Sequence, residues 1–63
     1  MRTRATLIEA AMRVFARLGP DTPVIKDFIA EAGVARGTFY IMFRTREELL
    51  VEVASVIADR IQS

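Results

Sequence analysis

The chain has 63 residues with no cysteine and no histidine, and its formal net charge at pH 7 is only +1. So short a chain makes at most one small domain, which buries only roughly 60% of the surface that its unfolded form exposes. The missing residue types exclude a disulfide framework, the common zinc sites and the usual nucleophile–imidazole pairs, so we predict no cofactor and no enzyme. The lack of cysteine fits a reducing cytoplasm, where we expect the protein, and no apolar stretch approaches the roughly 20 residues of a membrane span.

The charged residues are unevenly distributed along the chain. Residues 1–46 hold eight of the nine basic residues but only four acidic ones. Between Gly33 and Arg46 there are three arginines and no acid, whereas the tail from Glu47 onward has four acids and one arginine. This asymmetry predicts a basic face for an anionic partner and a more acidic end directed elsewhere.

Apolar residues recur at helical spacing in the first part of the chain, which predicts a helix over residues 2–18. Its inward stripe comprises Leu7, Ile8, Ala11, Val14, Phe15 and Leu18. Gly19 follows at the position where a glycine in the left-handed region stops a helix, so the first helix is expected to end there.

The pair Thr22–Pro23 is typical of a helix start, with the threonine as N-cap and the proline in the first turn, where its missing N–H costs nothing. A second helix is therefore predicted over about residues 23–32, ending at Gly33, with Val34 filling the core from the turn. The inward stripe of this helix comprises Val24 or Ile25, Phe28, Ile29 and Ala32.

A short third helix is predicted over about residues 35–42. On a helical wheel Phe39 and Phe43 share the core face, Met42 lies at its edge, and Gly37 and Ile41 lie nearly opposite. All four phenylalanines of the chain are thus expected in the core: Phe15, Phe28, Phe39 and Phe43.

The sequence "TREE" predicts the start of a fourth helix over residues 46–63. Thr45 is the expected N-cap, and Glu48 is expected to reach back to the Thr45 N–H in a capping box. The apolar stripe of this helix runs on with no stop signal and comprises Leu49, Leu50, Val53, Val56, Ile57 and Ile61.

Two short helices joined by about four residues around a glycine, and braced by a longer first helix, are typical of a helix-turn-helix. We therefore predict an all-α fold, with a three-helix helix-turn-helix domain in residues 1–46 and a connecting fourth helix in residues 46–63. In this motif the second helix of the pair enters the DNA major groove. The pattern alone leaves an alternative, a protein-interaction bundle that docks through the amphipathic fourth helix and has no affinity for DNA.

The stretch "TPVIKDFIAEAGVARGTFYIMFRTREELL" resembles the DNA-binding domain of the tetracycline-repressor (TetR) family of transcriptional regulators. That family combines a Ser/Thr-capped second helix, an "IA" pair, an "AGV" turn, a basic-Gly-Thr recognition-helix start, a Tyr and a final Phe. The matching residues here are Thr22, Ile29, Ala30, Ala32 to Tyr40, Phe43, Thr45, Arg46 and Leu49. The first helix, Ile8 to Gly19, is similar as well, so the resemblance covers nearly the whole chain.

The resemblance implies DNA contacts along the helix-turn-helix. Thr22 is expected to bind a phosphate at the start of the second helix, and Arg36 to reach a phosphate or a guanine edge. Tyr40 is expected to donate to a phosphate. The remaining expected contacts are Gly37, Thr38, Ile41, Arg44, Thr45 and Arg46, and Arg2 and Arg4 are further candidates near the terminus.

Two positions of the third helix allow alternative interpretations. Glycine within a helix costs roughly 1 kcal/mol relative to alanine, so Gly37 serves either close approach to DNA or close packing against the second helix. Ile41 departs from the family, which commonly has aromatic or polar residues there. It either contacts a thymine methyl in the groove or is an ordinary exposed aliphatic residue.

By resemblance, the partners are double-stranded DNA with a roughly palindromic operator and a second copy of the chain. The family's larger helical domain forms the dimer and binds a small-molecule effector, whose binding moves the fourth helix and releases DNA. We expect the present residues to be the N-terminal part of such a longer repressor.

Overall fold

A computed structural model describes residues 2–62 and shows four α-helices within them. The helices are α1 (Arg2–Leu18), α2 (Ile25–Ala32), α3 (Arg36–Met42) and α4 (Arg46–Gln62). The predicted all-α fold is confirmed, and α1 has the predicted bounds. Met1 and Ser63, which the predicted domain and the predicted fourth helix include, lie outside the described residues. None of the described helices is both long and apolar enough to cross a membrane.

Two glycines end the first two helices, as the sequence predicts. Gly19 has φ 84° and Gly33 has φ 70°, both in the left-handed region that favours glycine. The Gly19 N–H donates to the Phe15 carbonyl at 2.8 Å, and the Gly33 N–H donates to the Ile29 carbonyl at 2.9 Å. The turn after Gly33 brings Val34 against the core, where it is partly buried.

The predicted start of the second helix is wrong. Its first residue is Ile25, and its N-cap is Val24, in an extended conformation with φ −119° and ψ 171°. Valine has no side-chain acceptor and cannot cap the helix. Instead, a carboxylate oxygen of Asp27, in the first turn, accepts the Val24 N–H at 2.9 Å. Thr22 is exposed and does not cap the helix, while Pro23 is buried. Pro23 thus packs into the core from the preceding loop, and the helix begins two residues later than predicted.

The core lies where α1 packs against α2 and α4, and α3 packs against α2. Phe15 and Phe28 meet edge to face, with ring centroids 5.2 Å apart, which joins α1 to α2. The buried side chains of Phe39 and Phe43 hold α3 to the core, and their ring centroids are 5.9 Å apart. The apolar cluster comprises Leu7, Ala11, Val14, Phe28, Phe39, Phe43, Leu49 and Val53, with Phe15 and Met42 partly buried beside it.

Some residues of the predicted inward stripes are exposed instead. On α4 the last buried residue is Val53, and Ile57 and Ile61 beyond it are 43% and 78% exposed. Leu18 and Val24 are also exposed, because each lies at the end of its helix, outside the space enclosed by the packed faces. The periodic pattern therefore overestimates the core at the helix ends.

The start of α4 has only half of the predicted capping box. The Thr45 Oγ1 accepts the Glu48 N–H at 3.2 Å, as predicted. The Glu48 carboxylate accepts the N–H of Arg44, at 3.3 Å, and not that of Thr45. The side chain therefore satisfies the backbone one residue earlier than expected.

Candidate nucleic-acid interface

Helix α3 has one buried face and one exposed face. Phe39 is buried and holds the helix to the core, whereas Arg36, Gly37, Tyr40 and Ile41 are exposed. Residues four apart are neighbours on a helix, so Arg36 lies next to Tyr40 and Gly37 next to Ile41. Together these four residues form a continuous exposed strip along α3, and Thr38 is half-buried at its side.

Gly37 has no packing partner. A Cβ atom added to it would meet no atom within 4 Å outside its own helix, and its backbone lies outside the left-handed region. Close packing against α2, one of the two explanations for this glycine, is therefore wrong. The position is open and faces outward, beside Ile41.

The side chains of Tyr40 and Ile41 have different surroundings. The Tyr40 ring meets the Phe39 ring edge to face, with centroids 5.6 Å apart, and the side chain is about half exposed. Its ring thus packs at the edge of the core, and about half of the side chain remains accessible. Ile41 is 78% exposed, in agreement with its predicted place opposite the core.

A cleft of about 340 Å³ lies next to α3. Its lining comprises Val24, Ile25, Lys26, Arg36 and Arg46, that is, three cations and no acid. These residues lie at the starts of α2, α3 and α4, where the positive ends of the helix dipoles lie, and Asp27, Glu47 and Glu48 in the first turns of α2 and α4 offset part of that charge. The sequence does not single out Lys26, because the predicted helix start at Pro23 places it beyond the first residues; a start at Ile25 puts it in the first turn.

Lys26, Arg36 and Arg44 have no ion pair among the described side chains, and the first two of them line this cleft. Elsewhere in the domain, Glu31 accepts from Arg13 at 3.0 Å and from Arg17 at 3.1 Å, which joins α1 to α2. The hydrogen bond from Arg13, and then that from Arg17, holds the pKa of the Glu31 carboxyl below its ordinary value of 4.5.

Arg46 is largely occupied within the protein. Its Nε–H donates to the Pro23 carbonyl at 2.7 Å, and Nη2 donates to the Pro20 carbonyl at 2.6 Å. Nη1 lies 3.9 Å from a Glu47 carboxylate oxygen, and the side chain is only 22% exposed. The guanidinium group of Arg46 is thus engaged within the protein, and the predicted DNA contact of this residue stays a prediction.

The other residues predicted to contact DNA differ in their exposure and in their contacts within the protein. Arg44 is exposed next to α3, and Thr45 is exposed while its hydroxyl caps α4. Arg4 pairs with Glu52, and its guanidinium carbon lies 5.0 Å from the centre of the Phe43 ring, so it links α1 to α4. The Arg2 side chain lies outside the described part of the structure.

Comparison with known proteins supports this architecture. The model of the bacterial regulatory proteins of the tetR family matches residues 7–53. The chain is 38% identical over 58 residues to the uncharacterized HTH-type transcriptional regulator YfiR of Bacillus subtilis (strain 168), covering 92% of this chain and 28% of that protein. No solved structure is significantly similar to it.

A second relative is the uncharacterized HTH-type transcriptional regulator YvdT of the same organism, 35% identical over 48 residues. The match covers 76% of this chain and 25% of YvdT, so the chain spans about a quarter of the length of each of these relatives. Because the family model matches most of the described helices, from α1 into α4, the chain belongs to the tetR family of bacterial regulatory proteins and corresponds to the N-terminal DNA-binding domain of that family.

Proposed function

We propose that this domain binds double-stranded DNA sequence-specifically, with α3 in the major groove and the cleft at the helix starts against the phosphate backbone. The observation that carries the proposal is the cleft with its three cations and no acid, directly beside the exposed strip of α3. A phosphate backbone supplies the negative charge that such a surface attracts, while an exposed helix is the right width for the major groove.

Within this arrangement the residues divide into two roles. Lys26, Arg44 and the Tyr40 hydroxyl position the protein through phosphates, which carry no sequence information. Arg36 and Ile41 read base edges, the arginine through guanine acceptors and the isoleucine through a thymine methyl. Gly37 lets the backbone of α3 approach the groove, since a side chain there would hold it away.

The threonines are assigned less direct roles. Thr38 contacts a phosphate or base from the side of α3, and Thr45 does so at the start of α4. For Thr22, a phosphate contact through a helix cap no longer applies, because the cap is Val24. Lys26, in the first turn of α2, takes over the phosphate role.

At the level of the whole regulator, we propose a homodimeric repressor that is released from a palindromic operator by a small-molecule effector. Support comes from family membership and from the relatives' length, of which this chain covers about a quarter. The dimer and effector sites would belong to a larger domain, and α4 would connect the two. A regulator that acts on bacterial DNA works in the cytoplasm.

The test is binding to duplex DNA over a range of salt concentrations. For DNA binding, the logarithm of the association constant falls linearly with that of the salt concentration, by about 0.9 per phosphate neutralised. Lys26→Gln should weaken binding on all sequences alike and reduce this slope by about one unit. A protein-interaction bundle would instead show no duplex binding at any salt concentration.

A further inference from the structure

We infer that Arg46 is a positioning residue of the DNA interface: it fixes the start of α2 to the start of α4 and does not itself bind phosphate. This inference rests on the proposed DNA binding and deepens it. Its basis is the pair of hydrogen bonds from one guanidinium group to the carbonyls of Pro20 and Pro23, on the loop before α2.

The loop has few other bonds to hold it. Prolines at two of its positions have no N–H to donate, and the helix cap is a valine without a side-chain acceptor. Asp27 binds the Val24 N–H, but this bond lies within the start of α2 and does not fix it to another helix. Arg46 supplies that link, and no other described donor binds the Pro20 or Pro23 carbonyl.

The link determines the shape of the cleft. Pro23 directly precedes Val24, which with Ile25 and Lys26 forms one wall of the cleft, and Arg46 itself forms another. Clamping the Pro23 carbonyl to Arg46 therefore sets the distance between the two walls and the direction of the Lys26 side chain relative to α3. A phosphate contact by Lys26 and a base contact by Arg36 both depend on that distance.

Arginine geometry makes this role testable. Two donors at different points of the side chain, Nε and Nη2, bind two carbonyls at 2.7 and 2.6 Å. Lysine has a methylene group at the position of Nε and a single ammonium group beyond it, so it keeps the charge but lacks two separate donor positions. A phosphate contact needs chiefly the charge, whereas binding the two carbonyls at once needs the two donor positions of arginine.

The experiment compares Arg46→Lys and Arg46→Ala with Arg44→Ala in the full natural chain, by fluorescence anisotropy on a mixed-sequence duplex at several salt concentrations. We expect Arg46→Lys to weaken binding roughly tenfold, comparable with the loss of one hydrogen bond from a charged donor, with the wild-type salt slope. Arg44→Ala, which removes an exposed and unclamped cation, should reduce the slope by about one unit.

Folding is measured on the same samples by circular dichroism, and binding is compared only at temperatures where each variant is folded. A purely structural role would lower the melting temperature of Arg46→Lys and leave the affinity of the folded protein unchanged, which would overturn the inference. Wild-type affinity in Arg46→Lys, or a slope reduced by about one in Arg46→Ala, would overturn it as well. If the wild-type protein binds no duplex at all, the proposed function itself fails.

Discussion

At Gly37, we expect helix stability and DNA binding to favour different residues. Its Cβ position is open, so Gly37→Ala should stabilise α3 by up to about 1 kcal/mol through the higher helix propensity of alanine. The added methyl group should at the same time weaken DNA binding on all sequences, because it holds the helix backbone away from the groove. Thermal unfolding and duplex binding, measured on the same preparation, test both parts.

Gly33→Ala is the matched control for this substitution. Gly33 has φ 70°, so alanine there should destabilise the fold by about 1 kcal/mol and not stabilise it. If Gly37→Ala raises the melting temperature but leaves DNA affinity unchanged, then close approach is not the reason for this glycine.

Ile41 gives a prediction about sequence preference. Because its side chain is 78% exposed, Ile41→Ala should change stability by less than about 0.5 kcal/mol. If the side chain buries a thymine methyl, replacing that thymine by uracil, which lacks the methyl, should weaken wild-type binding about fourfold, since one such group contributes about 0.8 kcal/mol. The uracil effect should be lost in Ile41→Ala.

The measurement is a binding series on a selected site in which each thymine in turn is replaced by uracil. The wild-type protein and the alanine variant together form a double-mutant cycle that isolates the contact. An equal effect of uracil in both proteins, at every position, would show that Ile41 contacts no thymine methyl.

At the scale of elements, Glu31 joins α1 to α2 through Arg13 and Arg17, and this link depends on pH. Its pKa is lower in the folded protein than the ordinary value of 4.5, chiefly because of the Arg13 hydrogen bond. The link therefore stabilises the fold fully above pH 4.5, and this contribution is lost as the pH falls through the lower folded value. When the pH is lowered from neutral to below 4.5, the melting temperature of the wild-type protein should fall by more than that of Glu31→Gln.

The control for the Glu31 prediction is Asp21→Asn, because the described residues offer Asp21 no ion pair or side-chain hydrogen bond. Its melting temperature should follow that of wild type as the pH falls. Parallel pH curves for wild type and Glu31→Gln would show that the two arginines do not stabilise the packing of α1 on α2.

The elements also show how far the sequence predicts this fold. Local signals are sufficient for the glycine ends of α1 and α2, since a left-handed residue is a local requirement. They are not sufficient for the start of α2, where Pro23 is buried and its carbonyl accepts a hydrogen bond from Arg46, far along the chain. Thr22–Pro23 has the local chemistry of a helix start, and tertiary packing overrides it.

The same distinction applies to the candidate site. The exposed strip of α3 follows from helical periodicity, so Arg36, Gly37 and Ile41 could be predicted from sequence. The sequence does not show which cations remain available for DNA, because tertiary neighbours decide how they pair. Arg4 pairs with Glu52 and Arg46 donates to a carbonyl of the loop, whereas Lys26 lines the cleft.

At the scale of the whole molecule, the net charge of +1 conceals an uneven distribution of charge. The cations without described ion pairs lie near the start of α2 and around α3, whereas α4 carries acids and exposed apolar side chains such as Ile57 and Ile61. In our proposal the first region contacts DNA and the second leads to the dimer of the larger protein. DNA recognition would then depend on the distance between two copies of α3.

This geometry gives a prediction about spacing in the full natural chain. A dimer whose α3 helices enter successive major grooves requires half-sites about one helical turn apart, roughly 34–36 Å. Inserting about five base pairs, or half a turn, between the half-sites turns one of them to the opposite face of the duplex, so a rigid dimer can bind only one at a time. Binding to the altered site should fall to the level of a single half-site, as measured by gel shift with both duplexes. Undiminished affinity after the insertion would mean that the two domains bind independently of each other, and α4 would then be a flexible connection and not a rigid one.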